Sequence, residues 1–534
     1  MKVFYLWFKT IKDKLKKVIF TFFLFIIIII PINGQYVNLP IDHWAYLFLD
    51  RLETKGFIDK LYYRSKPFTR SEFSEIIIQI SKKIESGIIP LSETDMALFE
   101  KLKGEFFDEL KNKNIDINIK EKEPHLFSWG EKKSRLHYDG YIIEDAKYLP
   151  QNENSNYSSR LTLGSIIRGV IEDKIHFYLD FRNTLIKGEK DLEKNYNPSI
   201  GLPITVAGRN IYSDQATAYF VYKFSWGEFL VGRRNFNWGP GYRGSLALSK
   251  NSEVIDMFRI KVEYKRFKFI GMSGFLNSGL GKKNIAAHRI EVRILPNLIL
   301  GGNETVIYGK RGLELIYVNP IMPYHIAEHY QQDKDNNTMG LDIIYLPFNN
   351  IKFYTELFID DFNLSKNPFK YYGNKFAFLS GLHWTDPLKI KDTDFRAEYT
   401  RIEPYVYTHK YPINIYTNYD QIIGHWLGPN SDNLFTEVAY QYNRYFRITA
   451  SFEQIRKGKG DVNEPHKPED GEEKHFLNGI VENKKSFRLG FSYEIKRDVY
   501  ISLDYKITQT KNADRILNKN NNNNELYFVF CINR

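Results

Sequence analysis

The feature that most restricts what this chain can become is an alternation of period two that sets in after Ser134. Ile175, Phe177, Leu179 and Phe181 alternate with His176, Tyr178, Asp180 and Arg182. Ile260, Val262 and Tyr264 alternate with Arg259, Lys261, Glu263 and Lys265. The same reading holds for Phe446 to Glu453, for Val499 to Lys506 and for Leu526 to Ile532. Successive side chains of a strand point to opposite faces, so each segment carries one apolar and one polar face. A soluble sandwich also alternates. Here, however, the polar face carries formal charges on nearly every strand, which calls for a hydrated interior, and the apolar face then calls for lipid. Closing the sheet also removes the exposed edges that so many hairpins would leave.

The connections fit that plan. Ser225-Trp226-Gly227-Glu228, Lys265-Arg266, Asn443-Arg444 and Lys496-Arg497-Asp498 read as tight turns. Gln151 to Tyr157, Lys187 to Ser199 and Lys457 to Lys485 are long and polar. Short turns at one end and long loops at the other, outside the cell, are the layout of an outer-membrane barrel. At roughly 22 residues per strand and connection, about 400 residues supply ~18 strands. The predicted fold is an all-β transmembrane barrel of about 18 antiparallel strands over residues 131–534.

Composition agrees. Aromatic residues make up 16% of the chain while the mean hydropathy is −0.42, as expected when apolar and polar faces alternate. The formal charge of +11 falls to +6 once residues 1–34 are set aside, which is too little for a nucleic-acid footprint. Cys531 is the only cysteine, so an internal disulfide is excluded. Lys9 to Lys17 form a basic region before the apolar run Val18 to Ile30, and Gly34 offers a small residue before Gln35. This reads as a cleaved secretory signal over residues 1–34.

Residues 35–115 have helical periodicity and predict a small periplasmic bundle. Trp44, Phe48 and Leu52 recur on one stripe, Thr69 and Glu72 form a capping box before Phe73, and Ser92 opens a third helix reaching Leu110. Asp42-His43-Trp44-Ala45-Tyr46, Leu52, Gly56-Phe57-Ile58 and Pro67 to Glu72 resemble an S-layer-homology repeat, which implies contact with a cell-wall polymer such as peptidoglycan. The same residues also suit the core of the bundle. The charged residues 116–130, with Pro124, read as a linker.

Several catalytic patterns fail on inspection. His325-Ile326-Ala327-Glu328-His329 matches an inverted zinc-peptidase motif, but it follows Asn319 to Pro323, a poor helix start, and is read as a loop. Asp333 to Asn337 begins like a calcium loop yet has Thr338 where glycine is required. Glu356 with Asp360 and Asp361, Asp392 with Asp394, and Glu398 with Glu403 are carboxylate pairs at no known separation, as a charged lumen would supply. No catalytic residue, metal or cofactor is expected.

The most unusual connection runs from Arg233 to Asn251. Three glycines and one proline fix its backbone, and three aromatics and three arginines crowd it. Flat rings beside planar donor forks suit a polar, ring-shaped ligand. Trp238, Tyr242 and Arg243, with Arg233, Arg234 and the distant Trp426, are therefore candidate polysaccharide-binding residues. The alternative is a rigid packed insert with the rings as its core.

Trp238 to Asn251, read as W-G-P-G-x-x-G-S-L-x-L-S-x-N, resembles the Wzi family of outer-membrane capsule assembly proteins. Further segments follow in the same order: Asn303-Glu304-Thr305, Tyr317-Val318-Asn319-Pro320, Met339-Gly340-Leu341-Asp342, Glu398-Tyr399-Thr400-Arg401 and Gly424-His425-Trp426-Leu427-Gly428-Pro429. The resemblance implies an outer-membrane barrel with a periplasmic helical domain, acting as a lectin that holds capsular polysaccharide and is not an enzyme. A passive porin for sugars or ions and an envelope-glycan hydrolase are the alternatives. Whether the lumen is open or plugged is left open.

Overall fold

The structure of the protein, a computed structural model, describes residues 37–87, 91–113, 119, 121–131, 133–150, 156–188, 202–207 and 210–533. The expected leader at 1–34 lies outside the described residues, as do 151–155 and 189–199 of two expected long loops.

Eighteen antiparallel strands close into a barrel. The first nine are β1 (Ser134–Leu149), β2 (Asn156–Ile171), β3 (Ile175–Gly188), β4 (Asn210–Phe224), β5 (Gly227–Arg234), β6 (Ile255–Tyr264), β7 (Phe267–Leu276), β8 (Lys283–Leu295) and β9 (Leu298–Gly309). The remainder are β10 (Asn336–Phe348), β11 (Ile351–Asp361), β12 (Lys375–Thr385), β13 (Thr393–Ile402), β14 (Ser431–Gln441), β15 (Phe446–Lys457), β16 (Glu482–Lys496), β17 (Val499–Lys511) and β18 (Asn521–Ile532). Each pairs with its neighbour in the chain, and β18 closes on β1 with Leu526 opposite Tyr148. Phe127–Glu131 pairs with the start of β1, and Leu202–Ala207 with the start of β4.

The alternation sorts the wall as its parity predicts. On β6, Phe258 faces out while Arg259 and Lys261 are buried inside. Phe229 and Val231, Leu341 and Ile343, and Phe487 and Phe491 continue the exposed apolar belt on β5, β10 and β16. Trp226, Tyr264, Phe348, Tyr442 and Tyr493 ring the end with short turns. An apolar belt edged by aromatic side chains is the outer surface of a barrel in lipid.

The helices that precede the barrel sit at the turn end. They are α1 (Trp44–Thr54), α2 (Arg70–Glu85), α3 (Glu93–Glu105) and α4 (Phe107–Asn112). The third helix expected to run to Leu110 is thus two, because Phe106 leaves the helical region at φ −108°, ψ 25°. The Thr69–Glu72 capping box is present on α2. Phe48, Leu52, Phe57, Phe73, Ile77, Phe99 and Leu102 form the bundle core, with Phe73 stacked on Phe106 at 5.0 Å.

The face of the bundle turned to the barrel meets the wall through charge. Arg51 reaches Asp95 of α3 at 2.8 Å, then Asp386 at 2.6 Å and Asp394 at 3.2 Å on the barrel. Glu53 pairs with Lys352, Lys101 with Glu494, and Glu72 with Lys261. The charged inner faces of the strands are therefore matched by opposite charges on the bundle.

Candidate ligand-binding site

The segment between β5 and β6 turns inward instead of projecting from the loop end. Asn237 and Trp238 pair antiparallel with Lys66 and Ser65 of the helical domain, so the insert reaches the bundle through the lumen. Trp238 N also donates to Leu248 O at 2.8 Å, closing the insert on itself. Two wall carboxyl groups hold its backbone. Glu356 of β11 accepts from Gly241 N and Leu246 N, both at 2.8 Å. Glu398 of β13 accepts from Tyr242 N at 2.6 Å and Arg243 N at 3.0 Å. Gly239 lies at φ +136°, and a Cβ there would collide with the Glu356 carboxyl group, so the glycine permits the approach.

The segment between β13 and β14 packs on this insert. Tyr407 OH donates to Leu246 O at 2.6 Å and Tyr416 OH to Ala247 O at 3.0 Å. Trp426 Nε1 donates to Arg243 O at 3.1 Å. A Cβ on Gly424 would collide with Leu246 O, so this contact also depends on a missing side chain. The two segments bury Phe236, Trp238, Leu246, Tyr407 and Tyr416 in one cluster with inward wall residues such as Ile285 and Phe358.

The six candidate residues separate. Arg234, Arg243 and Trp426 line one cavity of about 350 Å³, together with Arg182, Lys250, Tyr178 and Tyr219. Tyr242 lines a neighbouring cavity that Arg243 also borders, and its hydroxyl donates to Glu437 at 2.9 Å. Trp238 is 1% exposed, enclosed by the cluster. Arg233 points the other way on β5 and pairs with Asp256 at 2.8 and 2.9 Å.

In the first cavity the cations differ in their partners. Arg243 pairs with Glu453 at 3.0 Å, with its guanidinium 4.6 Å from the Phe435 ring and 5.8 Å from Trp426. Arg234 is buried with its guanidinium 4.8 Å from the Tyr219 ring, and its Nη1 has no partner among the described residues. A buried donor without an acceptor is costly, and an anionic ligand group would satisfy it. Tyr178 and Arg182 escaped the motif-based reading, although their parity on β3 already placed them inside. Glu356 and Glu398 were visible as carboxylates, but nothing local marked them as anchors.

A second cavity, about 1170 Å³, opens at the loop end. It contains the segment expected as a loop, which is instead a short helix, Tyr324–Tyr330, with His325 and His329 Nε2 atoms 3.4 Å apart. Burial, and then the nearby Asp335, push the Glu328 carboxyl up to about 8.

His425 gives the internal packing a pH dependence. Its ring is fully buried, and burial, then the adjacent Arg243, hold its pKa down at about 3, against about 6.5 in a released segment. Between these values the released segment binds a proton that the docked one does not. Through this ring, docking is unaffected above about pH 6.5 and weakens as pH falls toward 3. His425 should contribute a fall in the hydrogen-exchange protection of residues 403–430, corrected for intrinsic rates, between pH 7 and pH 4. The His425→Gln variant should lose that component.

Fold and site together define a closed β-barrel whose interior is filled by its own inserts and capped by helices. The family described as capsule assembly protein Wzi matches residues 177–525, most of the chain, and the protein belongs to it. Among solved structures, Wzi of Escherichia coli is similar over 94% of this chain and 99% of that one, at 15% identity and a TM-score of 0.59. That protein is described as an outer membrane protein involved in group 1 capsule assembly and as a carbohydrate-binding β-barrel. OccK8 (OprE) of Pseudomonas aeruginosa is 9% identical, covering 75% of this chain and 97% of that one at a TM-score of 0.44. OprD of the same organism is 10% identical, covering 75% and 94% at 0.43. At 15% identity the likeness to Wzi of Escherichia coli concerns the fold. No curated protein matches the chain.

Proposed function

We propose that the protein is an outer-membrane lectin that binds and anchors capsular or other surface polysaccharide and assists capsule assembly without turning it over. Membership of the capsule assembly family supports the role. The observation that carries the ligand chemistry is the cavity in which Arg234 Nη1 and the Arg243 guanidinium face the rings of Tyr178, Tyr219 and Trp426. Uronate carboxylates suit the guanidinium forks, and the rings offer stacking faces for sugar. Tyr242 and Trp238 act in this reading by fixing the insert that carries Arg243, and Arg233 lies at the outer rim.

The leader would deliver the chain across the inner membrane, and the apolar belt would place it among outer-membrane lipids. The S-layer-like residues of the bundle would leave a periplasmic contact, peptidoglycan included, to its outward surface, because Leu52, Phe57 and Phe68 are spent on its core. The porin alternative is disfavoured by the inserts and helices that occupy the lumen.

The test is binding of a polyuronate and of a neutral glucan to detergent-purified protein. Arg234→Met with Arg243→Met should weaken polyuronate binding at least tenfold and leave the neutral polymer unchanged. Equal affinity of the variant and the parent for the polyuronate would remove the assignment.

A further inference from the structure

Where the helical domain meets the wall, three side chains from three different elements converge. Asp108 is on α4, His125 lies in the segment leading to the barrel, and His137 is on β1. One ligand atom of each lies within 4.8 Å of the others. We propose that this is a divalent transition-metal site, of the kind suited to Zn²⁺, that fastens the helical domain to the barrel.

The argument rests on how the rings are held. His125 Nδ1 is 2.9 Å from Asp139 Oδ2, and Leu126 N donates to the same carboxylate at 3.2 Å. A carboxylate on one ring nitrogen fixes the proton there and presents the other nitrogen as a lone pair, the usual support for a metal-binding imidazole. His137 Nδ1 is 3.0 Å from Ser128 Oγ, because Ser128 and His137 are directly paired across the short strand and β1. Both rings thus have their Nδ1 engaged by oxygen, and they face each other with centroids 4.3 Å apart.

A further contact is informative in its length. His137 Nε2 and Asp108 Oδ2 are 3.4 Å apart. That exceeds a charge-assisted hydrogen bond of about 2.7–2.9 Å. It equals the separation of two ligands on a tetrahedral ion with bonds of about 2.0–2.1 Å. Imidazole and carboxylate donors in a two-to-one ratio favour a first-row ion such as Zn²⁺ over the all-oxygen sites of calcium or magnesium. Glu123, 3.7 Å from His125 Nε2, is already engaged by Arg70 at 2.8 Å and Arg168 at 2.6 Å. It therefore offsets those two cations, and Asp108 and Asp139 supply the local negative charge.

The experiment uses the full chain in detergent, without a histidine tag, stripped with chelator and then titrated with Zn²⁺. A His325→Gln/His329→Gln background removes the exposed pair at the loop end. One Zn²⁺ per chain should survive gel filtration, as read by elemental analysis. It should be lost with His125→Gln/His137→Gln. Asp139→Asn, which alters the support of His125 and of Leu126 N and removes no ligand atom, should weaken affinity about 10–100-fold. Co²⁺ in the parent should give the visible absorption of a nitrogen- and oxygen-ligated ion, a readout that needs no variant to fold. Absence of retained metal in the parent would overturn the site. So would metal lost with His325 and His329 alone, or unchanged binding in the His125/His137 variant.

Discussion

Replacing Glu356 and Glu398 together by alanine is expected to free the insert between β5 and β6 and expose it to trypsin. Each carboxyl group accepts two backbone N–H bonds from Gly241, Tyr242, Arg243 and Leu246. A backbone N–H left buried without its acceptor costs about 1–3 kcal/mol, and the double change leaves four of them, at about 1.5 kcal/mol or more each. Even half of the resulting 6 kcal/mol or more would raise the open population on the order of a hundredfold. Cleavage tracks that population when reclosing is fast. Cutting after Arg243 and Lys250 should therefore rise about a hundredfold or more while the barrel stays folded. Glutamine at both positions keeps one of the two acceptor oxygens of each side chain and should give a smaller rise. A double alanine variant as resistant as the parent would show that the carboxyl groups are not the anchors.

The second large effect is expected at Arg51. Its guanidinium, about 5% exposed, joins Asp95 on the bundle to Asp386 and Asp394 on the wall. Arg51→Met keeps much of the volume and leaves four carboxylates, Asp392 included, with Lys55 between Asp95 and Asp386 and His383 against Asp394. Removing one member of a buried ionic network costs about 3–5 kcal/mol. Hydrogen exchange of α1 should accelerate accordingly. Conductance then separates the two obstacles. Arg51→Met alone should stay silent in a planar bilayer because the inserts remain, whereas the triple variant with both glutamates removed should conduct. Steady conductance by the parent would contradict the closed lumen.

Much of the wall could be read without a structure. Ile175 to Arg182 and Arg259 to Lys265 declare their inward and outward sets by parity alone. The strand number followed from the average spacing of such segments. The helices were readable from Trp44, Phe48 and Leu52 and from the Thr69–Glu72 cap, and the break at Phe106 has a local signal in Gly104, two residues before it. The short helix at Tyr324 was missed because its proline-rich approach looked unfavourable, and because Tyr324 N and His325 N are satisfied by Glu304 on β9, 20 residues away in the chain.

The candidate site was legible in residue type and not in place. Trp238, Tyr242, Arg243 and Trp426 stood out as rings and forks, yet only the fold separates the enclosed Trp238 from the cavity-lining Arg243 and Trp426. The group around His125 and His137 was invisible for the same reason: its donors come from a helix, a connecting segment and a strand, with no common spacing.

The sequence alone determined that the chain past Ser134 makes a wall with an oily outside and a charged inside, because side-chain parity is a local property of a strand. What fills that wall was decided only by the tertiary structure. The inserts are held by carboxyl groups more than 100 residues away, at glycines whose value lies in the atoms they lack, and such encounters have no periodicity along the chain.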